Sequence, residues 1–301
     1  LEVGSNDGFL TKQFIDKGYQ AEGVDPSKSM ANIASQNGVK THNVLFGLDS
    51  LDQLRSDFGI ADVVIANNVF NHANDTSAFT KAVSEILSDD GVFIFELPYW
   101  LYTIQDKKFD QVYHEHVTYF TVKYAFNLLK EHGLEIFKVQ IVDYHGGSIR
   151  VFSRKKDNVQ MIKQVENLII EEEDFGLFKE ETYQNFMNEI TKDRNKVMSK
   201  LYEIKNEGYP IIGIGAAAKT NTFLNFYNID NTLLDCITDA SEHKKGKYTP
   251  LTRIPIVGDE ALSSYGKFYA LILSWNISSM LKEKIEQINS NVEFLCLEEL
   301  S

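Results

Sequence analysis

Cysteine is nearly absent from this sequence: 301 residues contain 2, Cys236 and Cys296, each inside an apolar run. Two isolated thiols build neither a disulfide framework nor a zinc site, so a reducing, cytoplasmic setting is expected. Basic excess is absent as well. Asp and Glu number 43 against 30 Lys and Arg, for a net charge of −13. That balance does not suit a phosphate backbone and argues against broad nucleic-acid binding, but it allows an anionic small molecule held by a few local cations. No apolar run approaches the roughly 20 residues that span a bilayer, and no signal peptide is visible, so no membrane partner is expected. A starting Met is missing too. The chain opens inside a strand at Leu1, and an upstream segment is expected to have been cut away.

What is present is an alternation of apolar strands with amphipathic helices. Leu1 to Gly4 reads as the end of a strand and Phe9 to Gly18 as a helix closed by glycine. AEGVDPS carries a short strand into a turn, where Ser27 caps a helix running to about Gln36. VLFG and ADVVIANN read as strands, AFTKAVSEIL as a helix and GVFIFELP as a strand. This order implies a parallel sheet covered on both faces. VTYFTVKYAFNLLKEHG reads as a helix, and LEIFKVQIVDYHGGSIRVFSR as two strands joined in a hairpin at His145-Gly146-Gly147. From Asp157 to Glu207 charges dominate and no strand signal appears, which reads as solvated amphipathic helices between two domains. A second α/β unit starts at Tyr209, with strands in YPIIGIG, LLDCITDAS, FYALILSW and VEFLCL. The expected organisation is a nucleotide-type domain over 1–155, a helical bridge over 156–206 and a Rossmann-like domain over 207–301.

The first glycine turn, Gly4-Ser5-Asn6-Asp7-Gly8, departs from G-x-G-x-x-G: Asn6 replaces the middle glycine and an acidic residue follows. An acidic side chain repels a pyrophosphate. It suits S-adenosylmethionine, which carries a sulfonium and an ammonium and no phosphate, and Glu2 adds negative charge nearby. The turn resembles the first motif of class I S-adenosylmethionine-dependent methyltransferases. Asp25 ends the second strand about 20 residues on, where a carboxylate accepts both ribose hydroxyls. Nicotinamide enzymes use the same device. Asn67 and Asn68 end the fourth strand and point at the same pocket, although Asn68 equally suits a turn or cap. The expected cofactor residues are therefore Glu2, Gly4, Ser5, Asn6, Gly8, Asp25, Asn67 and Asn68.

The densest chemical stretch is FDQVYHEHVTYF, with Tyr113, His114, Glu115 and His116 in succession; His72 follows the fourth strand in NVFNHAND. Both segments leave the same sheet edge. H-E-H lacks a thiolate and an i, i+4 histidine pair, so no metal is expected. A histidine base oriented by a carboxylate suits the run, with capping or loop hydrogen bonding as the alternative.

With these pieces in view, the chain resembles the NDP-hexose 3-C-methyltransferases, which act on nucleotide-linked 4-keto-6-deoxyhexoses. The matching pieces are LEVGSNDG, GVDPS, the Asn67-to-His72 segment, FDQVYHEHVTYF, HGGSIRVF, GIGAAAKTNTFLNF, KKGKYTPLTRIP and ILSWN, in order along nearly the whole chain. The resemblance implies that His116 removes the proton beside the sugar ketone, that Tyr113 and Glu115 assist near the sugar, and that His72 helps stabilise the enolate, which then takes a methyl group. It also implies that the second Rossmann-like domain binds the sugar nucleotide rather than running a redox reaction. Substrate contacts are expected from His114, His145, Lys219, Asn221, Lys247 and Arg253. Lys244 and Lys245 suit either the diphosphate or solvent. Two features depart from the family. Its paired-cysteine zinc segment has no match here, and Leu251 stands where the family favours glycine. O-methylation, a nicotinamide-dependent oxidoreductase using Gly213-Ile214-Gly215, and a binding protein without turnover are the alternatives.

Overall fold

The computed structural model describes residues 1–144 and 146–295. His145 and Cys296 therefore lie outside the described residues. The chain forms two compact units, one of residues Leu1–Thr103 with Glu115–Phe178, the other of Ile104–His114 with Lys179–Ser301. The expected helical bridge is thus shared between the units, and a short segment before Glu115 groups with the second.

In the first unit, β1 (Glu2–Val3), α1 (Phe9–Asp16), β2 (Gly23–Val24), α2 (Lys28–Gln36), β3 (Thr41–His42), α3 (Leu48–Asp57), β4 (Ala61–Asn67), α4 (Thr76–Ile86) and β5 (Leu87–Pro98) follow one another. They lead into α5 (Trp100–Gln105), α6 (Val122–Glu131), β6 (Leu134–Val142), β7 (Ser148–Lys155) and α7 (Lys163–Phe175). The sheet order is β3-β2-β1-β4-β5-β7-β6. That is the doubly wound order with β7, antiparallel to both neighbours, inserted between β5 and β6. Local chemistry sets the helix starts. Ser27, Asp75 and Thr121 each accept a hydrogen bond from a first-turn backbone amide, of Met30, Ala78 and Tyr124 respectively. Apolar strand residues fill the centre. Phe70, Phe93, Phe95 and Phe120 are fully buried or nearly so, and the Phe70 ring lies 5.8, 5.2 and 4.9 Å from the other three.

Two sequence expectations are corrected here. VLFG is not a strand. β3 ends at His42, the Leu45 carbonyl accepts from Ser50 Oγ at 2.8 Å, and Phe46 turns inward to meet Phe79. The helix expected from Val117 starts only at Val122. Val117 and Thr118 give their amides to the Asn71 carbonyl, and Phe120 bridges to Tyr99 as extended chain.

The second unit contains α8 (Glu180–Asn206), β8 (Ile211–Ile214), α9 (Ala218–Tyr227), β9 (Cys236–Thr238), β10 (Ile256–Val257), β11 (Phe268–Ile272), α10 (Ser278–Ile288) and β12 (Val292–Leu295). All five strands are parallel, in the order β10-β9-β8-β11-β12. β10 was not expected from the sequence, because two residues carry no periodic signal. Phe109, from the outlying segment, packs into this core against Phe223, Phe226 and Tyr227, with ring centroids 6.1, 4.8 and 5.6 Å away. Aromatic burial of this size explains why the segment belongs with the second unit.

Glu172 is the main buried charge in the first unit. Its carboxylate, fully inaccessible on α7, accepts from Tyr99 Oη at 2.9 Å and from the backbone amides of Val122 and Lys123. It acts as a remote cap that ties α7 to the start of α6. Burial pushes its carboxyl above the ordinary value, and the three donors oppose that. We expect Glu172→Ala to destabilise this unit by about 2–4 kcal/mol, because three buried donors lose their acceptor. Urea unfolding followed by circular dichroism checks this; an unchanged midpoint would deny the cap.

In the second unit, the loop before β10 holds Leu251 and Arg253 at left-handed φ of 64° and 53°. The Thr249 and Thr252 hydroxyls, 2.7 Å apart, and the Ile254 amide on Thr249 Oγ1 at 2.8 Å hold it there. The conformation is the one glycine adopts freely, and Leu251 occupies it with its side chain 85% exposed. Leu251→Gly relieves left-handed strain and gives up no packing. After glycine's entropic cost, a net stabilisation of roughly 0.5–1 kcal/mol is expected. Differential scanning calorimetry reads it, and a lowered melting temperature would mean that the Leu251 side chain is engaged.

Candidate functional site

The first glycine turn joins β1 to α1 through three left-handed residues: Gly4 at φ 71°, Asn6 at 52° and Gly8 at 80°. A Cβ on Gly4 would lie 2.7 Å from Val69 Cγ2, so the turn packs directly against the chain leaving β4. The Asp25 carboxylate holds the turn in place. Its Oδ2 accepts from the Asn6 amide at 2.9 Å and its Oδ1 from the Ser27 amide at 2.8 Å. Asp25 is 8% exposed, and each oxygen retains a second lone pair for a hydroxyl. Glu2 accepts a short hydrogen bond from Thr11 Oγ1, which ties β1 to α1. Burial raises its carboxyl pKa above the ordinary value.

Beyond the carboxyl end of β4, three buried side-chain oxygens have no hydrogen-bond partner among the described residues, Asn67 Oδ1, Asn68 Oδ1 and Asn71 Oδ1; Ser5 Oγ, likewise without one among them, lies instead against Gly23. Such orphans are rare in folded proteins, and the three asparagine oxygens beyond β4 leave acceptor capacity for a polar ligand. They fit S-adenosylmethionine, whose amino, hydroxyl and adenine N–H groups are donors. Asn68 is left-handed, at φ 52°, and its amide donates to the Glu96 carbonyl at 2.6 Å. The turn expected of Asn68 is thus present in its backbone, and its side-chain oxygen is buried. Glu96 is itself held by Arg150 Nε at 2.7 Å.

Just beyond, the short helical turn Phe70–His72 places His72 beside His116. The ring centroids are 5.3 Å apart and the planes stand at 86°. The Asn71 carbonyl stitches the two loops together by accepting from the amides of Val117 at 3.0 Å and Thr118 at 3.1 Å. His116 also meets the Tyr119 ring at 6.4 Å, and Tyr119 packs on Trp100 at 4.4 Å. Burial holds the His72 imidazole below its ordinary pKa; Glu115 pulls it back up by less. His72 is thus kept neutral, a form that still donates one N–H. Glu115 and His116 group with the first unit, Tyr113 and His114 with the second, where their rings lie 6.2 Å apart.

Among the substrate-side expectations, Lys219 has the most built surroundings. It stands second in α9, its Nζ donates to Asn276 Oδ1 at 2.6 Å, and it lies 3.8 Å from the centre of the Trp275 indole. Asn221 is half-buried one residue pair further along α9, its carbonyl accepting from Asn225. Lys247 and Arg253 are exposed on the left-handed loop. Lys244 pairs with Asp239 at 3.0 Å, and Lys245 pairs with Glu242 and Glu260, so these two lysines are engaged within the protein. Asn71, Asp110 and Trp275 were missed as individual residues. Asp110 and Trp275 fall inside FDQVYHEHVTYF and ILSWN, where the segments were singled out without a role for either side chain. No cluster of His, Cys, Asp and Glu suited to a metal ion occurs among the described residues.

Comparison with known proteins places this geometry in a family. Residues 143–296 match the model of the C-methyltransferase C-terminal domain, and residues 1–139 match a methyltransferase domain. The C-methyltransferase NovU of Streptomyces niveus is 29% identical over 98% of this chain and 69% of its own length. The ubiquinone biosynthesis O-methyltransferase of a Bradyrhizobium strain is 29% identical, but over 31% of this chain and 37% of its own. Among solved structures, an S-adenosylmethionine-dependent methyltransferase of Thermotoga maritima overlays with a TM-score of 0.40 at 19% identity, covering 52% of this chain and 80% of that one. The C-methyltransferase model alone spans just over half of the sequence, and the methyltransferase model covers the unit that carries the Asp25-latched turn. The chain belongs to the C-methyltransferase family, as an S-adenosylmethionine-dependent enzyme whose first unit is a class I methyltransferase fold.

Proposed function

We propose that this C-methyltransferase acts on a nucleotide-linked 4-keto-6-deoxy sugar, with His116 as the base. The observation that carries the reading is the His72–His116 pair, 5.3 Å apart at the sheet edge where the side-chain oxygens of Asn67, Asn68 and Asn71 have no partner among the described residues. A carbon acid beside a ketone needs a positioned base, and the enolate oxygen needs a donor. His116 takes the proton from the carbon next to the ketone, and the C–H electron pair moves into the enolate. His72, kept neutral by burial, donates its N–H to the developing oxyanion. Bound S-adenosylmethionine supplies the electrophilic methyl group, leaving as S-adenosylhomocysteine. Tyr113 and Glu115 assist beside the sugar. Lys219, Lys247 and Arg253 offer local positive charge for the diphosphate on an otherwise acidic chain. The sugar class rests on the ordered motifs from LEVGSNDG to ILSWN, with His114, His145 and Asn221 as further sugar-nucleotide contacts.

Two measurements test the reading. His116→Asn lowers methyl transfer to a nucleotide keto-sugar by about 10²–10⁴-fold. The affinity for S-adenosylmethionine stays within about twofold, because the Asp25 carboxylate and its turn are left unchanged. Wild-type enzyme also washes solvent deuterium into the carbon beside the ketone, and the variant does not. Full activity in the variant removes His116 as the base. Asp25→Asn, in turn, weakens S-adenosylmethionine binding by about 10–100-fold in calorimetry, the cost of losing a charged acceptor. Unchanged affinity there would move the ribose elsewhere.

A further inference from the structure

The second unit contains an arrangement of side chains that the reaction chemistry does not use. Asp110, 5% exposed, accepts from the Trp275 indole N–H at 2.6 Å. That bond sets the plane of the indole, and the Lys219 ammonium rests 3.8 Å from the ring centre. The Oδ1 of Asn276, the next residue, accepts a hydrogen bond from Lys219 Nζ at 2.6 Å, and Lys108 lies 5.6 Å from the same ring. A long lysine side chain carries about 2 kcal/mol of rotamer freedom, and here it is pinned at the first turn of a ten-residue helix. The turn that leads into the helix holds Gly215 at φ 93°, and its amide donates to the Thr238 carbonyl. Thr238 Oγ1, almost fully buried at this turn, has no partner among the described residues.

Solvent has no use for a pinned cation, whereas a dianionic ligand does. An indole face attracts an ammonium while leaving its outer side open. The helix start adds backbone amides aimed the same way. We propose that Asp110 and Trp275 are positioning residues: the carboxylate fixes the indole, and the indole fixes the Lys219 ammonium to receive the diphosphate of the substrate. This rests on the sugar-nucleotide reading above and extends it to residues that touch no substrate atom themselves.

The electrostatics give the proposal a signature. Burial lowers the Lys219 pKa to about 8, with Lys108 pushing it further down and Asp110 pulling it up. These are the charged groups facing the ammonium; Trp275 and Asn276 are its neutral neighbours, and Tyr227 adds a hydroxyl that feels Asp110. Above that pH the free protein loses the charge, so diphosphate binding weakens. Removing the Asp110 charge moves the loss to lower pH.

The test uses the full chain and thymidine diphosphate as probe, titrated by calorimetry from pH 6.5 to 9.5. Wild type is expected to bind at neutral pH and to weaken through pH 8. Asp110→Asn keeps an acceptor for the indole N–H, and its weakening starts at lower pH. Trp275→Leu removes the platform and raises Kd about tenfold or more at pH 7, whereas Trp275→Phe, which keeps a ring face, recovers part of the loss. Thermal melting accompanies each variant, so that loss of fold is seen as such. If wild type binds and the three variants match it in affinity and pH profile, the positioning role is overturned. If wild type fails to bind the probe at any pH, the sugar-nucleotide reading falls and this proposal with it.

Discussion

One interaction recurs in both units, and the rest of each depends on it. An aspartate at the carboxyl end of the second strand accepts a backbone amide from the glycine turn of the first. In the first unit Asp25 takes the Asn6 and Ser27 amides; in the second Asp239 takes the Ala216 and Ser241 amides, both at 2.9 Å. A tight turn with left-handed residues is costly and exposes several N–H groups at once. A charged acceptor satisfies one of them with one oxygen and an amide two residues beyond itself with the other, which ties the two loops together. The two latches differ in one respect. Among the described residues Asp25 has only backbone donors, whereas Asp239 also meets Lys244. A half-satisfied carboxylate can still take a ribose diol; one already neutralised has less to offer. The same wiring therefore leaves a carboxylate with open lone pairs in one unit and an ion-paired one in the other.

The catalytic candidates depend on a second economy of backbone groups. Chain leaving β4 and chain entering α6 share a single acceptor, the Asn71 carbonyl. Val117 and Thr118 give their amides there, Phe120 continues as extended chain beside Tyr99, and the helix starts only after the Thr121 cap. His116 therefore sits on extended chain, beside His72, instead of on a helix face. The helical pattern of VTYFTVKYAF hid this. Its apolar spacing is real from Val122 onward, but a helix running from Val117 would carry the segment next to His116 away from the sheet edge. Glu172 works in the same way, since a carboxylate fifty residues downstream supplies the acceptor that α6 lacks.

Much of the site was legible because it lies on local signals. Gly4, Asn6, Gly8 and Asp25 are tied to a strand–turn–helix pattern; the YHEH run is contiguous; Ser27 caps where a cap was expected. Pairings with no local trace were not legible. Asp110 and Trp275 are 165 residues apart in sequence, and nothing in either neighbourhood announces an indole–carboxylate bond. Nor does an apolar run such as VLFG say whether a neighbouring strand waits for it; Leu45, 75% exposed, shows that none does. Leu251 is the intermediate case. The family's preference for glycine there marked the turn, and the left-handed φ explains the preference, yet only the buried Thr249–Thr252 pair shows how leucine is held in it.

The sequence by itself determined the two α/β units, the first glycine turn, the carboxylate at the end of the second strand and the residues with the right chemistry for a base. Each depends on spacing and side-chain type within a few residues of chain. Tertiary structure decided which of those residues meet. It paired His72 with His116, left the asparagine oxygens at the strand ends unmet, engaged Lys244 and Lys245 within the protein, and set Lys219 on an indole held from a distant segment. The reason is physical. Propensity and hydrogen-bond valence act locally, but the choice of partner is made by packing, where burial and the need to satisfy every buried donor select one arrangement from many.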